Sequence, residues 1–318
     1  MTQQEKQDLR AVMVQCLIDA VENGVNVAVV VSDSTSTAKI APFAERFPER
    51  LINVGIAEQN LVGVAVGLSL GGYVPVTANA APFLVARANE QVKNDVCYSQ
   101  TNVKLVGLNA GVSYGPLAST HHAIDDISIM RGLGNIVILA PADPIETRRM
   151  FEFALDYTGP VYIRMDNAKF PTLYDEDYQF VLGKATILRQ GSDVSIFALG
   201  SVVHEAYDAG LQLQNQAIDA EVVSVCSIRP LDKTLIAESI RKTKRVITVE
   251  EHSLSGGLGS LVCEIIAGEQ LNAKIARLGI TEGQFSKAGP RAEIRAYYRI
   301  DKNGIVETAK RMLADSPS

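Results

Sequence analysis

One carboxyl side chain stands apart in this sequence. Glu58 falls at the head of a run that is otherwise apolar and glycine-rich, NVGIAEQNLVGVAVGLSLGG over residues 53–72. A glutamate in such surroundings costs free energy unless it is paired, hydrogen-bonded or used. The residues alone leave two readings open. In the first turn of a helix an acidic residue is favoured by the macrodipole and can sit exposed at a strand–helix junction. Alternatively, a half-buried carboxyl kept from full ionisation by apolar neighbours is poised to exchange a proton, or a strong hydrogen bond, with a ligand nitrogen. Imidazole chemistry has few candidates: the chain has four histidines, of which only His121 and His122 are adjacent. Cys16, Cys97, Cys226 and Cys263 are far apart and form no C-x-x-C pair, so they read as buried thiols rather than a zinc or dithiol site. GGLGS at 256–260 lacks the spacing of a dinucleotide fingerprint and reads as a tight, closely packed turn rather than a phosphate cradle.

The elements that must position these groups follow from the hydrophobic pattern. VNVAVVVS (25–32), VKLVGLN (103–109), NIVILA (135–140) and PVYIR (160–164) read as strands. Helices are expected over 6–21, 58–70, 83–99, 125–132 and 144–157, the last with Asp143 as N-cap and Pro144 at the first helical position. Such alternation predicts an α/β fold with a mostly parallel sheet covered by helices on both faces. KFPTLYDEDYQFVLG (169–183) breaks the rhythm and reads as a surface linker. A second α/β unit follows, with strands at 193–200, 220–227, 244–250 and 274–280, and Arg229-Pro230-Leu231 as a turn before a helix. The expected division is a first domain over 1–170, a linker over 171–188 and a second domain over 189–318.

Composition bounds the partners. The chain has 318 residues, 47% hydrophobic and 21% charged, with a formal net charge of −6. An acidic balance argues against nucleic acid or an anionic membrane surface and for small molecules or proteins. The polar start MTQQEKQDLR and the lack of an apolar run long enough to span a membrane make the cytoplasm the default expectation.

Several ordered motifs then carry a resemblance. NVGIAEQN, THHAIDDISIMR, APADPIETRRM, GPVYIR, RPLD and TVEEHSLSGGLGS together resemble the C-terminal half of transketolase, as found where the enzyme is split into two chains. The resemblance spans about Arg10 to Leu313 and implies a pyrimidine-binding domain, then a transketolase C-terminal domain, and thiamine diphosphate as cofactor. It implies a transferase of carbohydrate metabolism, of pentose phosphate type, moving a two-carbon ketol unit from a ketose phosphate to an aldose phosphate. By this resemblance Glu58 hydrogen-bonds a ring nitrogen of the cofactor's aminopyrimidine and activates it as a catalytic residue. His121, of the Thr120-His121 pair, faces the reacting carbons and bonds a substrate hydroxyl or shuttles protons, His122 being the weaker candidate. Arg164 matches an arginine that binds the sugar phosphate, while Arg10 and Ser36, within SDSTST, fall where the family has further phosphate contacts.

Departures from the family pattern are as informative. Of three aromatics expected around the aminopyrimidine only Phe83 is present, with Ala80 and Ala86 in the flanking places. Gly115-Pro116-Leu117 stands where the family has Gly-Glu-Asp, and Asn109 where it has a substrate-binding histidine. Leu117 cannot accept a hydroxyl's hydrogen bond, which points to an atypical sugar phosphate, lacking that hydroxyl or branched there. The superfamily's G-D-G motif, which with a later asparagine holds the diphosphate and its metal, does not occur in the chain. The resemblance therefore implies an N-terminal partner subunit that binds Mg²⁺ and diphosphate, in a heterotetramer or around a homodimer of this chain. Two rival readings are the β subunit of a thiamine-dependent 2-oxoacid dehydrogenase and a non-catalytic stabilising partner. 1-Deoxyxylulose-5-phosphate synthase shares Thr-His-His but normally carries all three domains in one chain.

Overall fold

The chain is described here by a computed structural model covering residues 6–314. Its strands in chain order are β1 (Gln7–Asp8), β2 (Val27–Val31), β3 (Leu51–Asn53), β4 (Val74–Ala80), β5 (Lys104–Leu108), β6 (Val137–Leu139), β7 (Val161–Arg164), β8 (Lys169–Phe170), β9 (Thr186–Arg189), β10 (Val194–Ala198), β11 (Ala220–Ser224), β12 (Ser227–Arg229), β13 (Arg245–Ser253) and β14 (Lys274–Ile280). A seven-stranded sheet has the order β12-β6-β7-β5-β4-β2-β3, and a five-stranded sheet has the order β14-β13-β10-β11-β9. Pairing is parallel throughout both except at β12 and β9, which run antiparallel to their neighbours. The expected α/β architecture is thus present twice. Every residue of β2, Val27–Val31, is buried, as a strand covered on both faces requires.

The expected strands at 25–32, 103–109, 135–140 and 160–164 appear with trimmed ends, and the helix expected at 58–70 spans Glu58–Leu70. Asp143 caps the Pro144–Asp156 helix by accepting a hydrogen bond from the Glu146 amide at 2.7 Å. The pattern missed β4, a central strand carrying Pro75 and small polar residues, because a proline in a run normally argues for an edge. Instead of one helix over 83–99, the chain makes the Ala81–Arg87 helix, a short turn at Asn89–Gln91 and a wide π-helical segment over Val92–Tyr98. β9 begins inside the stretch read as linker, and β12 leaves the second unit to extend the first sheet beside β6. GGLGS is a packed turn: the Leu258 and Gly259 amides donate to the Glu250 carboxylate at 2.7 and 2.8 Å, so this side chain fills the place a phosphate would take.

A buried ionic knot holds the two units together. Arg164 at the end of β7 donates through Nε to Asp126 and through Nη2 to the carbonyls of Ala123 and Glu251. Asp126 also accepts from the Tyr162 hydroxyl at 2.8 Å. Arg291 bonds both Asp166 and Glu251, and Arg295 donates to Glu251 at 2.6 Å. Burial pushes the Asp166 and Glu251 carboxyls up, but the Arg291 and Arg295 charges outweigh it and hold both below the ordinary carboxylate range. A carboxyl depressed in the native state contributes stability that is present above its unfolded-state pKa and is lost as pH falls through its native one. The melting temperature is therefore expected to drop once acidification passes below about pH 4. A melting series from about pH 7 to about pH 3 checks this, and a flat profile would contradict it.

Candidate active site

The site forms at the carboxyl ends of the parallel strands, where an open α/β sheet holds its ligands. At the end of β2, Ser32 donates through Oγ to the Gly55 carbonyl at 2.8 Å and accepts from the Ala57 amide at 3.0 Å. This fixes the turn that starts the Glu58–Leu70 helix, with Glu58 as its first residue. Glu58 is only 2% exposed. The reading of an exposed first-turn acid is therefore overturned, and the carboxyl is dry, as the chemical reading requires.

Its charge state differs from that expectation. Burial raises the Glu58 pKa, but the hydrogen bond from Arg87, with help from its own backbone and the Asn79 side chain, brings it below the usual glutamate value. Arg87 Nη1 lies 2.5 Å from Glu58 Oε2, and its guanidinium carbon sits 5.0 Å from the centre of the Phe83 ring. The carboxyl is an ion-paired anion rather than one kept from ionisation by apolar neighbours. Sequence reasoning passed over Arg87, although its position four residues after Phe83 on the Ala81–Arg87 helix puts both side chains on one face.

His121 closes the other side. Its ring meets Phe83 edge-on at 5.2 Å and Tyr114 at 5.4 Å, and its Nδ1 lies 2.9 Å from Thr120 Oγ1. His122 is buried, with Nδ1 2.6 Å from Ser286 Oγ and Nε2 3.1 Å from the Gly115 carbonyl, and burial lowers its pKa. His121 is thus the histidine beside Phe83 and His122 the one that ties the loop to the second unit. A cleft of about 400 Å³ lies among Phe83, Arg87, Thr120 and His122.

The loop after β5 is strained. Asn109, Gly111, Gly115 and Ala118 all have positive φ, a cost that surrounding structure must hold in place. Gly111 is required sterically as well: a Cβ there would lie 2.6 Å from Glu251 Oε1. Asn109 is buried at the strand end, and its Oδ1 has no hydrogen-bond partner among the described residues. Asn79 Nδ2, at the end of neighbouring β4, faces the Glu58 carboxyl without a close hydrogen bond. The orphaned Asn109 acceptor, beside the Asn79 donor at the adjacent strand end, suits a polar ligand. Tyr114, whose hydroxyl is pushed up by burial and pulled down by Asn109 and Arg10, lies between this corner and His121.

Three sequence-chosen residues sit differently from expectation. Arg164 is 6% exposed and turned into the interdomain knot, its donors on Asp126, Ala123 and Glu251 instead of an open phosphate site. The cause is Asp126, a buried carboxylate that must be neutralised. Arg10 is gripped by Asp8 through Nε and Nη2, at 3.0 and 2.8 Å, and donates to the carbonyls of Thr37 and Asn167. It joins the chain's start to the segment after β7 rather than presenting a free fork. Ser36 is exposed in the short Thr35–Ala38 helix, and the structure does not bring it into the Glu58–Phe83–His121 group.

Comparison with known proteins supplies the remaining findings. The family model described as transketolase, pyrimidine binding domain, matches residues 5–172, and that described as transketolase, C-terminal domain, matches residues 183–305. The chain is 54% identical, over 95% of its length and 97% of the relative's, to an apulose-4-phosphate transketolase subunit of Actinobacillus succinogenes. It is 39% identical, over 92% of its length and 93% of the relative's, to the corresponding apulose-4-phosphate transketolase subunit of Phocaeicola vulgatus. A solved structure titled split gene transketolase, inactive beta4 tetramer, superposes with a TM-score of 0.87 at 35% identity, covering 98% of this chain and 99% of that one.

Proposed function

The chain belongs to the transketolase family, as the section that joins its pyrimidine-binding and C-terminal domains, and on that premise we propose how its residues work and on what. It is a transferase subunit that moves a two-carbon ketol unit between sugar phosphates. The observation that carries the reading is that Arg87 joins a dry Glu58 carboxylate to the Phe83 ring, which in turn meets His121, at one end of the first sheet.

The residues fit the aminopyrimidine end of thiamine diphosphate. Glu58 offers a buried acceptor, Phe83 an aromatic face, and Asn79 a donor beside the Glu58 carboxyl. When bound, thiamine diphosphate supplies a nucleophilic carbon and the electron sink that makes a C–C bond beside a ketone breakable. Glu58 holds the shared proton at the pyrimidine nitrogen, and the dry setting makes that bond strong. His121, oriented by Thr120 at Nδ1, keeps Nε2 for a substrate hydroxyl or its proton. Asn109 offers its orphaned Oδ1 to the same substrate. Diphosphate and Mg²⁺ we assign to a partner subunit, because the chain carries no G-D-G motif and its split-gene structural neighbour is titled an inactive beta4 tetramer.

For substrate we propose a ketose phosphate of the apulose 4-phosphate kind, donating to an aldose phosphate. Two relatives bear that substrate in their names. Leu117, 51% exposed on the active-site loop, and Asn109 both depart from the residues that grip the usual sugar phosphates. Tested across ketose phosphates, the complex of this chain with its partner is expected to prefer apulose 4-phosphate over xylulose 5-phosphate in kcat/KM by at least roughly tenfold, the low end of what one changed pocket contact contributes. A preference for xylulose 5-phosphate with ribose 5-phosphate would contradict the substrate assignment.

A further inference from the structure

Arg87 supplies, within this chain, a partner for each of the two features an aminopyrimidine would use. Its guanidinium is planar and cationic, donates to Glu58 Oε2 at 2.5 Å, and lies with its central carbon 5.0 Å from the Phe83 ring centre. A guanidinium stacks on aromatic faces and pairs with carboxylates by the same geometry that a protonated aminopyrimidine presents. The arm that carries it is open: the Arg87 side chain is 48% exposed while the Glu58 side chain is 3% exposed. A buried carboxylate is therefore neutralised by a head group on a lever that reaches solvent. Such a lever can leave at the cost of the ion pair and the stacking on Phe83, the two contacts that hold its head group.

We propose that Arg87 is an exchangeable occupant of the pyrimidine site, which holds Glu58 as an anion and is displaced when thiamine diphosphate takes that carboxyl. This rests on the function proposed above. The exchange has a proton balance. The Arg87-paired carboxyl is ionised, and Glu58 ends by sharing a proton with the pyrimidine nitrogen, so binding takes up a proton from solvent. Arg87 is the charged group facing Glu58, and His121, His122 and Asp125 are the other titratable groups around the cleft. Arg87→Met removes the competitor and the main group that offsets the effect of burial on Glu58, so less of the proton exchange is left to accompany binding.

The test is calorimetric titration of thiamine diphosphate with Mg²⁺ into the complex of this chain and its partner, in buffers of different ionisation enthalpy. Wild type is expected to bind with uptake of close to one proton. Arg87→Met is expected to bind roughly tenfold more tightly or better, with a smaller proton uptake than wild type. Arg87→Lys, which keeps the charge but loses the planar fork, should retain the uptake, and it serves if the Met variant does not assemble. Weaker binding by Arg87→Met, or unchanged affinity with unchanged proton uptake, would make Arg87 a fixed wall of the cofactor site and overturn the proposal. A wild-type complex that binds no thiamine diphosphate would instead sink the functional reading, and this inference with it.

Discussion

Replacing Glu58 by Gln is expected to lower ketol-transfer turnover by roughly 10²–10⁴-fold, the range a positioned proton-exchanging group contributes, while the assembled complex persists. The amide is nearly isosteric and keeps an oxygen that can accept from Arg87, so the head of the Glu58–Leu70 helix loses no packing. What it loses is the ability to hold a proton for the pyrimidine nitrogen. A scaffold reading makes the opposite forecast: a subunit that only stabilises its partner has no use for this carboxyl, and E58Q would leave turnover untouched. Steady-state kinetics of the two-chain complex, with analytical sedimentation to show that it is assembled, separates the two.

The second large effect concerns stability. Arg164→Met is expected to cost about 3–5 kcal/mol, the penalty for stripping one partner from a buried ion pair. Asp126 is fully buried and, among the described residues, would keep the Tyr162 hydroxyl and a His252 ring nitrogen 3.9 Å away. His252 is a poor substitute, because burial, the largest influence on its ring, disfavours the charged form. The Glu251 carbonyl loses its Arg164 donor in the same step, while the Ala123 carbonyl keeps the Gly111 amide, and Ala123 and Glu251 stand on opposite sides of the interdomain boundary. Urea unfolding of wild type and variant measures the difference. If Arg164 were instead a sugar-phosphate ligand, as the resemblance implied, the substitution would raise KM steeply and leave the unfolding midpoint where it was.

How much of this was legible in the sequence depends on what each feature rests upon. Strand identity was readable where a strand is buried on both faces, as in Val27–Val31 and Val194–Ala198, because that environment demands an unbroken apolar run. It was not readable in β4, where Pro75, Thr77 and Asn79 interrupt the apolar run that a buried strand normally shows. Nor could a linear pattern show β12 crossing to the first sheet, since three residues have no periodicity of their own. Of the site, Glu58, Phe83 and His121 stood out through the apolar setting and ordered motifs, and they meet. Arg164 and Arg10 matched by position, but their environments commit them elsewhere. The carboxylates that claim them, Asp126 and Asp8, carry no mark in sequence that distinguishes a buried acid from a surface one. Arg87 was overlooked for the converse reason: a helical arginine usually reads as solvated face, and only the fold brings Glu58 beneath it.

The central claim is that this chain is one half of a thiamine-dependent transketolase. Its most direct test is ketol transfer from a ketose phosphate to an aldose phosphate, with thiamine diphosphate and Mg²⁺ present. The assay is run on this chain alone, on a partner bearing the G-D-G motif alone, and on the two together. Activity that arises only in the mixture is the expected result. Transfer by this chain alone would contradict it, and so would a stable two-chain complex that binds the cofactor yet transfers no ketol unit and instead decarboxylates pyruvate onto a lipoyl acceptor.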